Sequence, residues 1–139
     1  MIKLKQLAHV CIFAHDLDAT RAFYEDVLGM KTVFDFTREG RVFGFYLAIG
    51  GRSHVEVFEA SGAARGDSRP IDHMCLEVEN ILDAAMHIRG KGVEVTEPTK
   101  GVDETYQAWV TDPNGVKIEL FEYTDRSAQF TGGDREANW

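Results

Sequence analysis

Two histidines and two glutamates carry the strongest chemical signal in this chain: His9, Glu56, His73 and Glu119. They come in matching surroundings. Ala8-His9-Val10-Cys11-Ile12 answers Asp72-His73-Met74-Cys75-Leu76, and His54-Val55-Glu56-Val57-Phe58-Glu59 answers Lys117-Ile118-Glu119-Leu120-Phe121-Glu122. The histidines are 64 positions apart and the glutamates 63. One such match can arise by chance; two at nearly equal offset, in segments of the same rank, indicate an internal duplication. Two imidazoles and two carboxylates suit a divalent first-row metal and leave octahedral positions open for water or substrate. With no sulfur in the set, it does not choose among Zn, Ni, Co, Mn and Fe(II). Burying two carboxylates without a cation would be costly, or would force one to stay protonated.

The elements that must position these groups follow from hydrophobic periodicity. Residues 4–14 read as a buried strand, and Asp16 or Asp18 can cap the helix after it. Ala19, Ala22, Phe23 and Val27 would form its apolar face, and Gly29 its stop. Residues 30–36, 41–49 and 53–58 read as three strands separated by Glu39-Gly40 and Gly50-Gly51. Residues 61–70 read as a linker, and then the same β-α-β-β-β order returns. A strand at 71–78 is followed by a helix capped by Asn80, with Ile81, Ala84, Ala85 and Ile88 inward and Gly90 and Gly92 at its end. Strands at 93–95, 106–110 and 116–123 complete the half, with the Asp112-Pro113-Asn114-Gly115 turn before the last. Alternation puts His9, Cys11 and Phe13 on one face of the first strand and Val10, Ile12 and Ala14 on the other. It likewise groups Glu56 with His54 and Phe58, His73 with Cys75, and Glu119 with Lys117 and Phe121. If the two modules close their sheets on each other, the four donors converge.

The chain is expected to divide into a first module with its linker (1–66), a second module (67–123) and a polar tail (124–139), held if at all by Phe130 and Trp139. The 139 residues carry 15 Lys and Arg against 23 Asp and Glu, a net charge of −8. That balance argues against nucleic acid as a partner. No apolar run reaches the ~18 residues of a membrane span, and residues 1–10 do not read as a signal peptide. Cys11 and Cys75 make no disulfide framework, so a cytoplasmic protein with reduced thiols is expected. Both cysteines share a face with the histidines and read as small fillers or pocket lining. Phe43, Phe45, Tyr106 and Trp109 are candidates to line a pocket, and His54 is a candidate relay or alternative ligand.

The duplicated module, Phe23-Tyr24 before Val27-Leu28-Gly29-Met30, and Asp112-Pro113-Asn114-Gly115 before Ile118-Glu119-Leu120 resemble the vicinal oxygen chelate superfamily over residues 5–123. The resemblance implies an α+β fold in which two β-α-β-β-β modules form an incomplete barrel around a metal site, often across a homodimer. His9, Glu56, His73 and Glu119 match the metal-ligand positions of the glyoxalase I branch. That branch isomerises the hemithioacetal of methylglyoxal and glutathione. The resemblance therefore implies one divalent metal ion and a small-molecule substrate, an α-hydroxycarbonyl or hemithioacetal, turned over through an enediolate. A metal polarises adjacent substrate oxygens, and a carboxylate beside it moves a proton between neighbouring carbons. The family assigns Glu119 as the main base and Glu56 as ligand and partner. Three alternatives come from the same superfamily. One is an extradiol-type dioxygenase, opposed by the carboxylate at Glu56. The others are a metal-free antibiotic-binding protein and a thiol-transferring resistance enzyme. The chain departs from the branch at Phe13 and Ala60, where relatives carry an Arg and an Asn that help hold glutathione; Lys100 resembles a glutathione-side lysine.

Overall fold

The computed structural model describes residues 7, 9–60 and 73–132. The chain divides into two compact units, Met1–Ser68 and Arg69–Trp139. The expected linker at 61–70, the outer ends of the first strand of each half, and Trp139 lie outside the described residues.

In the first unit, β1 (His9–Ala14) leads into α1 (Leu17–Ala22), which runs on into π-helical turns over Phe23–Val27. Strands β2 (Lys31–Arg38), β3 (Arg41–Gly50) and β4 (Ser53–Glu59) follow. The sheet order is β1-β4-β3-β2. β1 and β4 are parallel, and the other pairs are antiparallel. The second unit repeats this plan with β5 (His73–Glu77), α2 (Ile81–Gly90), β6 (Thr99–Lys100), β7 (Tyr106–Thr111) and β8 (Lys117–Glu122), ordered β5-β8-β7-β6. A short α3 (Ala128–Thr131) comes after them. Each sheet is open, and the two units have the α+β architecture of a duplicated module.

The helices begin and end where side-chain chemistry dictates. The Asp16 carboxylate accepts the Ala19 amide at 2.9 Å, and the Asn80 side-chain oxygen accepts the Asp83 amide at 2.9 Å. These satisfy amides that a first turn leaves without helical partners. Gly29 and Gly92 leave the helices at φ 71° and 77°, a conformation L side chains rarely adopt. Asp16 and Asn80 are 64 positions apart, as are the histidines; Gly29 and Gly92 are 63 apart, as are the glutamates. The extra residue of the first half therefore lies between cap and stop, where the chain winds into π-helical turns. A π-turn is how a helix takes in one residue more than the α spacing.

One side of each sheet is the core. Ile12, Ala14, Phe45, Leu47, Val55 and Val57 are buried in the first unit with Phe23, Tyr24 and Val27. The inward helix face thus differs from the expected one: Thr20 and Tyr24 are buried, whereas Ala19 and Ala22 are exposed. Thr20 tolerates burial because its hydroxyl donates to the Asp16 carbonyl at 2.7 Å. In the second unit, α2 packs Ile81, Ala85 and Ile88 on β7 and β8.

The expected strand at 93–95 does not form. Val95 makes an isolated bridge to Val110, and Thr96 exchanges hydrogen bonds with Trp109, through its amide (3.0 Å) and its hydroxyl (2.8 Å). Pro98 has no amide to donate and breaks the ladder. Pairing resumes only at β6, two residues long. Nor does the expected polar tail lack structure. The Ala128 amide donates to the Asp103 carbonyl at 2.8 Å, Gln129 to the Asp103 carboxylate at 2.7 Å, and the Phe130 ring rests on Tyr123 at 4.7 Å. Among the described residues no helix is long and apolar enough to cross a membrane.

Candidate metal centre

The four predicted donors form two pairs, one in each unit. β1 lies parallel to β4 with Cys11 opposite Glu56, and β5 lies parallel to β8 with Cys75 opposite Glu119. Each His side chain then stands diagonally from its Glu, on the same face. His9 Nε2 is 3.6 Å from Glu56 Oε2, and His73 Nε2 is 3.3 Å from Glu119 Oε2. The predicted alternation holds: Ile12, Val55, Val57, Ile118 and Leu120 are buried on the opposite faces.

The separation in the second pair, 3.3 Å, falls within the spacing of two ligands on one ion, and that in the first, 3.6 Å, lies just beyond it. Ligand atoms ~2.1 Å from one ion, at octahedral or tetrahedral angles, lie roughly 3.0–3.4 Å apart. Each pair can offer one imidazole nitrogen and one carboxylate oxygen to an incoming cation. Among the described residues, no three or more His, Cys, Asp or Glu side chains form a single metal-binding group. Each unit carries one His–Glu pair.

The surroundings of the two pairs differ. Tyr46, opposite Glu56 on β3, places its hydroxyl oxygen 2.9 Å from His9 Nδ1. Trp109, at the equivalent position opposite Glu119, sets its ring edgewise to His73 at 4.8 Å. The Glu119 side chain is 11% exposed and that of Glu56 19%. Burial, the Glu119 charge and a hydrogen bond to Glu119 push the Cys75 thiol up to about 12. Cys75 is therefore a neutral thiol near pH 7, a donor to the carboxylate rather than a competing anion.

Around the first pair the sheet is aromatic. Phe34 stacks on Tyr46 at 5.0 Å, Phe58 on Phe43 at 5.7 Å, and Phe36 joins both groups. The Phe58 ring lies over Gly44, where a Cβ would come within 2.6 Å of it and 2.5 Å of the Val57 carbonyl. Of the aromatic candidates read from sequence, Trp109 stands against His73, and Phe43 joins the aromatic cluster through Phe36 and Phe58. Phe45 does not: it is fully buried on the core face under the Arg21 guanidinium, 4.2 Å away. Tyr106 pairs with Glu122 and so faces away from Glu119. His54 rests against Tyr46 at 5.1 Å. Lys100 forms an ion pair with Glu104. Tyr46 was not among the sequence candidates, yet Trp109 was, and the 63-residue offset leads from one to the other.

Comparison with known proteins agrees with this geometry. A lactoylglutathione lyase from Salmonella typhimurium is 35% identical over 130 residues, covering 86% of this chain and 94% of that protein. An Escherichia coli protein called "Uncharacterized protein YaeR" is 32% identical over 130 residues, covering 88% and 99%. The crystal structure of TnmS3, an antibiotic binding protein from a Streptomyces species, superposes with a TM-score of 0.72 at 16% identity, over 89% of this chain and all of that one, a likeness of fold alone. The model of the Glyoxalase/Bleomycin resistance protein/Dioxygenase superfamily matches residues 6–120. Duplicated sheets, duplicated donors and this match agree: the chain belongs to that superfamily.

Proposed function

We propose that the protein is a metal-dependent, glyoxalase-like lyase or isomerase. Its substrate is a small α-hydroxycarbonyl or hemithioacetal, converted through an enediolate. The observation that carries this reading is the repetition of one His–Glu pair at homologous positions, with Nε2–Oε2 separations of 3.6 and 3.3 Å. His9, Glu56, His73 and Glu119 would together hold one divalent ion, Zn, Ni, Co, Mn or Fe(II). When bound, the ion supplies Lewis-acid polarisation of the substrate's adjacent oxygens. Glu119, the more buried carboxylate, takes the proton from one carbon and returns it to the next, with Glu56 as ligand and partner. Cys75 donates to Glu119 without adding a second negative charge. The lactoylglutathione lyase names among the relatives support the same class of reaction. A homodimer is the assembly this reading calls for.

The test is turnover of pre-equilibrated methylglyoxal and glutathione by protein reconstituted separately with each of the five ions. Thioester formation dependent on one or more ions is the expected result, and identifies glutathione as the thiol. Metal-loaded protein that is inactive on this mixture, but exchanges the α-proton of another hydroxycarbonyl with solvent deuterium, keeps the reaction class and excludes glutathione. Metal-loaded protein that does neither, and consumes oxygen with a catechol, overturns the proposal.

A further inference from the structure

We infer that Tyr46 is a positioning residue that orients the His9 imidazole as a metal ligand, through a hydrogen bond to its remote ring nitrogen, Nδ1. This rests on the metal-dependent reading above. Tyr46 Oη lies 2.9 Å from His9 Nδ1, whereas His9 Nε2 is 3.6 Å from Glu56 Oε2. A proton on Nε2 would face a carboxylate beyond hydrogen-bond reach, while a proton on Nδ1 falls within the short contact. A tyrosine hydroxyl can donate or accept, so the contact serves either tautomer of the metal-free ring; with Nε2 given to a metal on the side where Glu56 stands, the ring proton is on Nδ1 and donates to the tyrosine oxygen. A hydrogen bond from the remote ring nitrogen of a ligating histidine orients the ring and raises the basicity of the nitrogen that binds metal.

The tyrosine can serve this purpose because its own ring is held. It stacks on Phe34 at 5.0 Å with 14° between planes. Phe36 meets it at 78° and 6.4 Å, and His54 leans on it at 5.1 Å. The His9 ring meets it edgewise at 5.7 Å. A phenol packed on several sides loses little further entropy on accepting one hydrogen bond. At the register-equivalent position the second unit has Trp109, whose indole nitrogen can donate but not accept. It cannot receive an Nδ1 proton from His73, so this particular device belongs to the first unit.

Tyr46→Phe keeps the stacked ring and removes only the oxygen. Its affinity for Zn or Ni, measured by competition with a chelator, should fall ~10–100-fold, with the urea midpoint nearly unchanged. Nitrogen-15 spectra of the Zn-loaded wild type should show His9 with Zn on Nε2 and a hydrogen-bonded Nδ1 proton that exchanges slowly with solvent. In Zn-loaded Tyr46→Phe that proton should exchange faster, a signature that a purely packing role would not move. Zn-loaded wild type with Zn on His9 Nδ1 overturns the inference, as does Tyr46→Phe with unchanged affinity and proton exchange. A wild type that binds none of the ions overturns the metal reading instead, and needs no variant to reveal it.

Discussion

The two units have one topology and two linings. Both put an imidazole and a carboxylate on one face of a parallel strand pair, both cap the helix with an Asx side chain, and both end it at a left-handed glycine. On the donor face of the first unit, an eight-residue β2 contributes Phe34 and Phe36, which join Tyr46, Phe43 and Phe58. In the second unit Pro98 cuts the edge strand to two residues, and the corresponding face carries Thr99 and Gln107. Strand register fixes the donors, since a slip by one residue would turn them into the core. No such constraint acts on the neighbouring positions, which differ: five aromatic rings on the first face, and Trp109 and Phe121 beside Thr99 and Gln107 on the second.

Substitutions can break that comparison or sharpen it. The largest effect should follow His73→Ala or His9→Ala. If the half-sites supply one centre, either change abolishes metal retained through gel filtration, with circular dichroism unchanged. Retention after one change but not the other would make the pairs separate sites. Next comes Glu119→Gln, expected to lower turnover of the metal-loaded enzyme by ~10²–10⁴, as for loss of a general base. Glu56→Gln should act more through metal affinity, and full turnover by metal-loaded Glu119→Gln would reverse the assignment of roles. Gly44→Ala tests the aromatic lining, because a methyl there meets the Val57 carbonyl and the Phe58 ring. A loss of about 1–3 kcal/mol in urea unfolding is expected, whereas Gln107→Ala, its counterpart in the second unit, should cost less.

The smallest effect concerns α3, which follows β8 and docks on the second unit. Burial works against ionisation of Asp103, but hydrogen bonds from Thr105 and Gln129 outweigh it and hold the carboxyl below its usual range. A depressed carboxyl stabilises the fold above its unfolded pKa, and the gain disappears as pH falls through the folded value. Asp103→Asn should therefore cost ~1 kcal/mol at pH 7, and the difference from wild type should shrink below about pH 4. A difference that stays constant on acidification would assign the effect to packing instead.

Much of this was legible in the sequence, because the features involved are periodic or local. The repeat placed the two His–Glu pairs, alternation chose their faces, and Asp16, Asn80, Gly29 and Gly92 marked the helix ends. What escaped depended on partners distant in sequence. Phe45 looks like pocket lining until the guanidinium of Arg21 is seen above it. Val93 and Val95, on either side of Glu94, have strand alternation, but Pro98 and the Thr96 hydroxyl redirect their pairing. Thr20 is polar and so was left off the inward face, although its own backbone neighbour satisfies it. The linkage of the two halves falls at 61–72, outside the described residues.

The widened turns at Phe23–Val27 show where this architecture absorbs a change in chain length. An inserted residue in a strand inverts every side chain beyond it, and would have moved Glu56 off the face it shares with His9. In the helix, the same insertion alters only the pitch of one stretch. Gly29 then returns the backbone to phase before β2 begins. Anyone grafting loops, joining halves from different relatives or shortening the chain should spend length changes in that helix and leave the strands untouched.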